Sequence, residues 1–133
     1  MGIETAGTGL KTALDISGLR VYAPNELPDS VNPPCALILA GETNYEAAFG
    51  DDYDYILRLI ILVAKQDSPS AFDKILPYIE PTGSSSVIAK VKAAPTLGGN
   101  CDVARVRRNL GIGATNWGGI MYLSTEFEIA ISG

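Results

Sequence analysis

The stretch "YDYILRLIILVAKQ", residues 53 to 66, decides the fold of this chain. Its odd positions are Tyr53, Tyr55, Leu57, Leu59, Ile61 and Val63; its even positions are Asp54, Ile56, Arg58, Ile60, Leu62 and Ala64. Side chains alternate across a strand, so one face is wholly apolar or aromatic. The other face begins polar and turns apolar toward its end. That pattern predicts a central strand with one face in the core and the other partly covered. The run is broken by Arg58 and is too short to span a bilayer as a helix.

Period two returns near the end of the chain. In "IMYLSTEFEIAIS", Met121, Leu123, Thr125, Phe127, Ile129 and Ile131 alternate with Tyr122, Ser124, Glu126, Glu128 and Ala130. "CDVARVRRNLGIG" reads as a further strand, "LRVYA" as a short one and "CALILA", residues 35 to 40, as a buried one. Between the last two strands lies "GIGATNWGGI", residues 111 to 120. It does not fit G-x-G-x-x-G, and a strand rather than a helix follows it. A phosphate loop needs the N-terminus of a following helix, so a β-hairpin turn is the expectation. Trp117 near its tip either folds back on the sheet or contacts a partner.

Helical spacing appears in three places. Residues 3 to 16 carry Leu10 and Leu14 with Ala6 and Ala13; Gly7 and Gly9 weaken this helix. In "DSPSAFDKILPYIE", Ser68 and Pro69 suit a helix start, and Phe72, Ile75, Leu76 and Ile79 form a stripe expected to face the sheet. Pro77 should kink or end it. "SSSVIAKVKAAP" reads as a serine-capped helix burying Val87, Ile88 and Val91. "PNELPDSVNPP", residues 24 to 34, holds four prolines and reads as an ordered surface crossing. The expected architecture is a single α+β domain over residues 1–133: a mostly antiparallel β-sheet with two to three helices packed on one face.

Composition narrows the function. The 133 residues are 47% hydrophobic and 19% charged, a globular balance. The net charge of −5 argues against nucleic acid as the main partner. Histidine is absent, which removes the usual general base and the commonest metal ligand. Cys35 and Cys101 are either reduced thiols or a disulfide. No export signal is read at the start, so a reducing cytoplasm is the expected place of synthesis.

No constellation reads as catalytic. Asp51, Asp52 and Asp54 lack EF-hand spacing and suit a solvated strand entrance. Glu126 and Glu128 share a strand face, either as a carboxylate dyad or as a solvent-facing or interface-facing edge. Ser84, Ser85 and Ser86 are a nucleophile cluster only with a base beside them; a helix cap is the other reading. Arg105, Arg107 and Arg108 are the most informative charges. On a regular strand Arg105 and Arg107 share a face and Arg108 lies opposite. They are expected to pair with carboxylates, within the chain or across a subunit boundary. The reading is a binding or structural protein, not an enzyme, with no cofactor and no metal.

The order of the pieces is also informative. "VNPPCALI", "LPYIEPTGSSSV" and "PTLGG" followed by the arginine strand lie within a pattern covering nearly the whole chain. This pattern resembles the tail terminator proteins of long-tailed bacteriophages. The resemblance implies a ring, usually of six subunits, on the end of the finished tail tube. Such a ring stops tube polymerisation and offers the surface that joins tail to head. It implies three partners: the major tail tube protein, a head–neck connector protein and neighbouring copies. It also implies a place at the head-proximal end of the virion tail, assembled in the host cytoplasm. DNA passes through such a ring without specific binding, and no membrane or cofactor is involved. Another neck or tail-completion protein, a small enzyme and a small-molecule-binding α/β module are the competing readings.

A ring needs two different patches that meet. The acidic segment 42–54, with Asp51 and Asp52, and the arginine strand with Arg105, Arg107 and Arg108 are the candidates. Tyr45, Phe49 and Trp117 are candidate aromatic anchors for the tube, or pack under their own loops.

Overall fold

A computed structural model describes residues 3–44, 54–65 and 71–132. The elements are α1 (Ile3–Ala13), β1 (Arg20–Tyr22), β2 (Cys35–Asn44), β3 (Asp54–Lys65), α2 (Ala71–Ile79), α3 (Val87–Ala93), β4 (Val103–Trp117) and β5 (Ile120–Ser132). They form one five-stranded sheet in the order β1-β2-β3-β5-β4, with helices on one face. Only the β1–β2 pairing is parallel. None of the described helices is long and apolar enough to cross a membrane.

β3 is the middle strand, as its alternation requires. Its odd residues Tyr55, Leu57, Leu59, Ile61 and Val63 join the helix-side core with Phe127, Ile129 and Ile131 of β5. α1 adds Ala6, Leu10 and Leu14, α2 adds Ile75 and Tyr78, and α3 adds Val87 and Val91. The even residues Ile60 and Leu62 enter a second, smaller cluster on the opposite face, with Cys35, Leu37 and Tyr122. Leu27 and Val31 of the proline-rich crossing, and Trp117, close over that cluster. One face of the sheet is therefore covered by helices and part of the other by chain without regular structure.

Several details differ from the sequence expectation. Among the described side chains of α2, Ile75 and Tyr78 are buried; Phe72 is 60% and Leu76 47% exposed. A nine-residue helix meets the sheet through a narrow arc, and the buried ring of Tyr78 sets which arc that is. The helix also continues through Pro77 to Ile79, with the proline on its exposed side. Ser68 and Pro69 lie outside the described residues.

The glycines of α1 are close-approach positions rather than weak points. A Cβ at Gly7 would stand 2.5 Å from Pro24 Cδ, and one at Gly9 2.7 Å from the Leu97 carbonyl oxygen. The helix lies that near to the crossing and to the α3–β4 connection. Cys35 and Cys101 are both free and buried, one in each cluster. Burial pushes the Cys35 thiol up to about 11.

Phe127 is fully buried, whereas Phe72 faces solvent. Phe127→Ala should cost about 3–5 kcal/mol of unfolding free energy. Phe72→Ala should cost under about 1 kcal/mol. Urea unfolding followed by circular dichroism measures both; equal costs would contradict the assignment of the helix face.

Candidate functional site

The uncovered part of the second sheet face carries the charges. By register, Arg58 on β3 lies opposite Glu128 on β5, and Glu128 lies opposite Arg108 on β4. Arg58 turns diagonally to Glu126, donating through Nε at 3.1 Å and Nη2 at 2.9 Å. Arg108 donates to both oxygens of Glu128 at 2.9 Å. The Nη1 of Arg107 stands 3.8 Å from the same carboxylate. Paired forks of this kind fix geometry as well as charge. Arg105 is exposed and has no ion pair among the described residues.

A bulge explains where the arginines point. The β4–β5 register shifts between Val106 and Arg108, so Arg107 is the extra residue. Arg105 opposes Ala130, and Arg108 opposes Glu128. The two therefore share a face, and the expectation that Arg108 lies opposite Arg105 is corrected. The alternation argument counts residues, and one inserted residue reverses it from that point on.

A second shift, between Asn109 and Ile112, is held by side chains. Asn109 Nδ2 donates to Thr125 Oγ1 at 2.7 Å, and the Gly111 N–H donates to Asn109 Oδ1 at 2.8 Å. Thr125 Oγ1 in turn donates to the Gly111 carbonyl at 2.9 Å. Beyond it, β4 runs straight to a two-residue turn. Gly118 and Gly119 have φ of 62° and 84°, the left-handed pair that a tight hairpin turn needs. The expected hairpin is present, with most of "GIGATNWGGI" inside the strands rather than in the turn.

Trp117 folds back. Its Nε1 donates to the Pro28 carbonyl at 2.9 Å, and its ring packs on the second cluster with Leu27 and Val31. Ser86 caps α3, its hydroxyl accepting from the Ala89 N–H at 3.1 Å and donating to the Glu80 carbonyl. The carboxylates Glu126 and Glu128 hold arginines. Among the described residues no three of His, Cys, Asp and Glu gather as a metal site. Tyr45, Phe49, Asp51 and Asp52 lie outside the described residues.

Sequence reasoning did not single out Arg58, although it shares the even face of β3 as Glu126 shares that of β5. The missing information was the register that brings those two faces together. The chain matches no protein-family model and no curated protein.

The Arg108 hydrogen bonds hold the Glu128 carboxyl below the usual carboxylate range, with smaller help from the charges of Arg108 and Arg107. A depressed folded value stabilises the protein fully above the unfolded carboxyl pKa, about 4.3, and the gain is lost as pH falls through the folded value. Glu128→Gln should thus lower the thermal midpoint at pH 7, and the gap to wild type should close between about pH 5 and 3. A gap of constant size across that range would contradict the pairing.

Proposed function

We propose that this chain is the ring-forming terminator of a bacteriophage tail. It caps the end of the tail tube, ends tube polymerisation and offers the surface for head–tail joining. The resemblance across nearly the whole chain supports this reading. The observation that carries it is the guanidinium surplus on β4. Among the described residues Arg105, Arg107 and Arg108 of β4 have one ion-paired carboxylate between them, Glu128, because Glu126 holds Arg58 of β3. The chain as a whole is at −5. A concentrated positive edge on an acidic molecule is one half of a head-to-tail contact between copies.

The acidic segment 42–54 supplies the other half in this proposal. It holds Glu42, Glu46, Asp51, Asp52 and Asp54 and no lysine or arginine. Each subunit then offers arginines to one neighbour and carboxylates to the other, and the contact repeats until the ring closes. A closed ring leaves no free head-to-tail patch, so its two flat sides remain for the tube and for the connector. The net charge of −5 suits a ring that lets DNA pass without holding it. No catalytic step is part of this role.

The test is charge reversal at Arg105 and Arg107 together, both exposed on β4. Wild type should give rings of about 84 kDa, six times 14.0 kDa, by light scattering and negative stain. The doubly reversed protein should need at least about tenfold more protein to assemble, with its circular dichroism unchanged. Rings formed equally well by the reversed protein would contradict the proposal.

A further inference from the structure

β4 is an edge strand whose two halves are built differently. The first half is guarded. The Ala104 N–H donates to the Pro95 carbonyl at 2.6 Å, three arginines follow, and Arg107 is bulged. Charge, bulges and covering chain are how proteins keep a sheet edge from pairing. Residues 112–117, Ile-Gly-Ala-Thr-Asn-Trp, carry no charge and no bulge. They run in unbroken register along β5, from Ile112 opposite Thr125 to Trp117 opposite Ile120. Among the described residues, no segment other than β5 hydrogen-bonds to their backbone. Alternate N–H and C=O groups of this run therefore point outward without a partner.

The surroundings of the run have the composition of a contact surface. No charged residue occurs from Asn109 to Thr125. Leu110, Ile112, Ile120 and Met121 are each 38–48% exposed there. Charge depletion with exposed large apolar groups marks the centre of protein contacts. The hairpin is also fixed in advance. Trp117 is tied to Pro28, and a Cβ at Gly118 would stand 2.7 Å from the Asp29 carbonyl oxygen.

We propose that the occupant of this edge is the same edge of a second copy, paired antiparallel about a twofold axis at Ala114. The register follows from the sequence. Pairing Ile112 with Asn116, Gly113 with Thr115 and Ala114 with itself keeps every residue on its own face of a continuous sheet. Centring on Gly113 instead would draw the bulged Gly111 into the ladder. The small exposed Ala114 suits the axis, where two identical side chains meet.

Charge complementarity supports the same arrangement. Exposed Asp29 sits beside the hairpin turn, on the face that carries Arg108. In the paired edges each turn comes level with the partner's arginines, so Asp29 of each copy meets Arg107 and Arg108 of the other. The arginine segments of the two copies stay far apart. This contact does not rest on the ring reading: a head-to-tail ring of six has no twofold between its own subunits, so where both contacts form this one pairs subunits of two rings.

The test is oxidative cross-linking of two single-cysteine additions, Ala114→Cys and Asn116→Cys. Both positions are exposed, and both native cysteines are buried. Directly opposite residues of antiparallel strands lie about 4.5–5.5 Å apart at Cα, within disulfide range. Copper–phenanthroline should convert Ala114→Cys to a covalent dimer at least about tenfold faster than Asn116→Cys, whose equivalents are offset by four residues. A second measurement is the mass of Ala114→Lys, which sets two ammonium groups against each other at the axis. It should dimerise at least about tenfold more weakly than wild type. Cross-linking no faster at 114 than at 116, or self-association unchanged by Ala114→Lys, would overturn the proposal. Reversing Arg105 alone, which takes no part in the twofold contact, should weaken ring assembly while rapid cross-linking at 114 is retained, and that separates the two contacts.

Discussion

The two-sided burial of β3 is the constraint on which the rest of the structure depends. Its odd residues are apolar from end to end, so one face needs a continuous cover, and three helices supply it. Its even residues are interrupted by Arg58, and only Ile60 and Leu62 of them enter the second cluster, so the second face needs cover over part of its length. The proline-rich crossing supplies that, held by Leu27, Val31 and the Trp117 bond to Pro28. Prolines suit the task because such a crossing has no ladder partner for its N–H groups. The cover stops before Arg58, and the ion-paired face begins there.

That face is ordered by geometry more than by strength. Exposed ion pairs contribute about 0–1 kcal/mol each, so Arg58–Glu126 and Arg108–Glu128 do not hold the sheet together. Their effect is to consume both carboxylates of β5 and to aim the arginine side chains. Arg107 is left with a shared partner, and Arg105 with none among the described residues. The arginine charge of this face that is left for a partner thus lies on the edge strand. The open backbone groups of residues 112–117 lie on the same strand, beyond the bulge that Asn109 and Thr125 hold in place.

Much of this was legible in the residues. The alternation of β3 and β5 placed both strands and the apolar face between them, because burial acts on every second side chain. The hairpin was readable because two adjacent glycines between period-two runs have few other uses. The facing of α2 was not: Phe72, Ile75, Leu76 and Ile79 make a wider stripe than a short helix can bury. Gly7 and Gly9 read as defects because propensity is local, while the atoms they make room for, Pro24 and Leu97, are distant in sequence. The side on which Arg108 lies was hidden by a single bulged residue. The Arg58–Glu126 pair was hidden by register, which depends on how whole strands dock.

Both proposed contacts between copies of this chain lie on β4. Hydrogen exchange read by mass spectrometry, in dilute and in assembled samples, tests this most directly. Amides of β4 between residues 103 and 117 should slow on assembly, while those of α1, α2 and α3 exchange as before. Protection that appears on the helices and leaves β4 unchanged would contradict it.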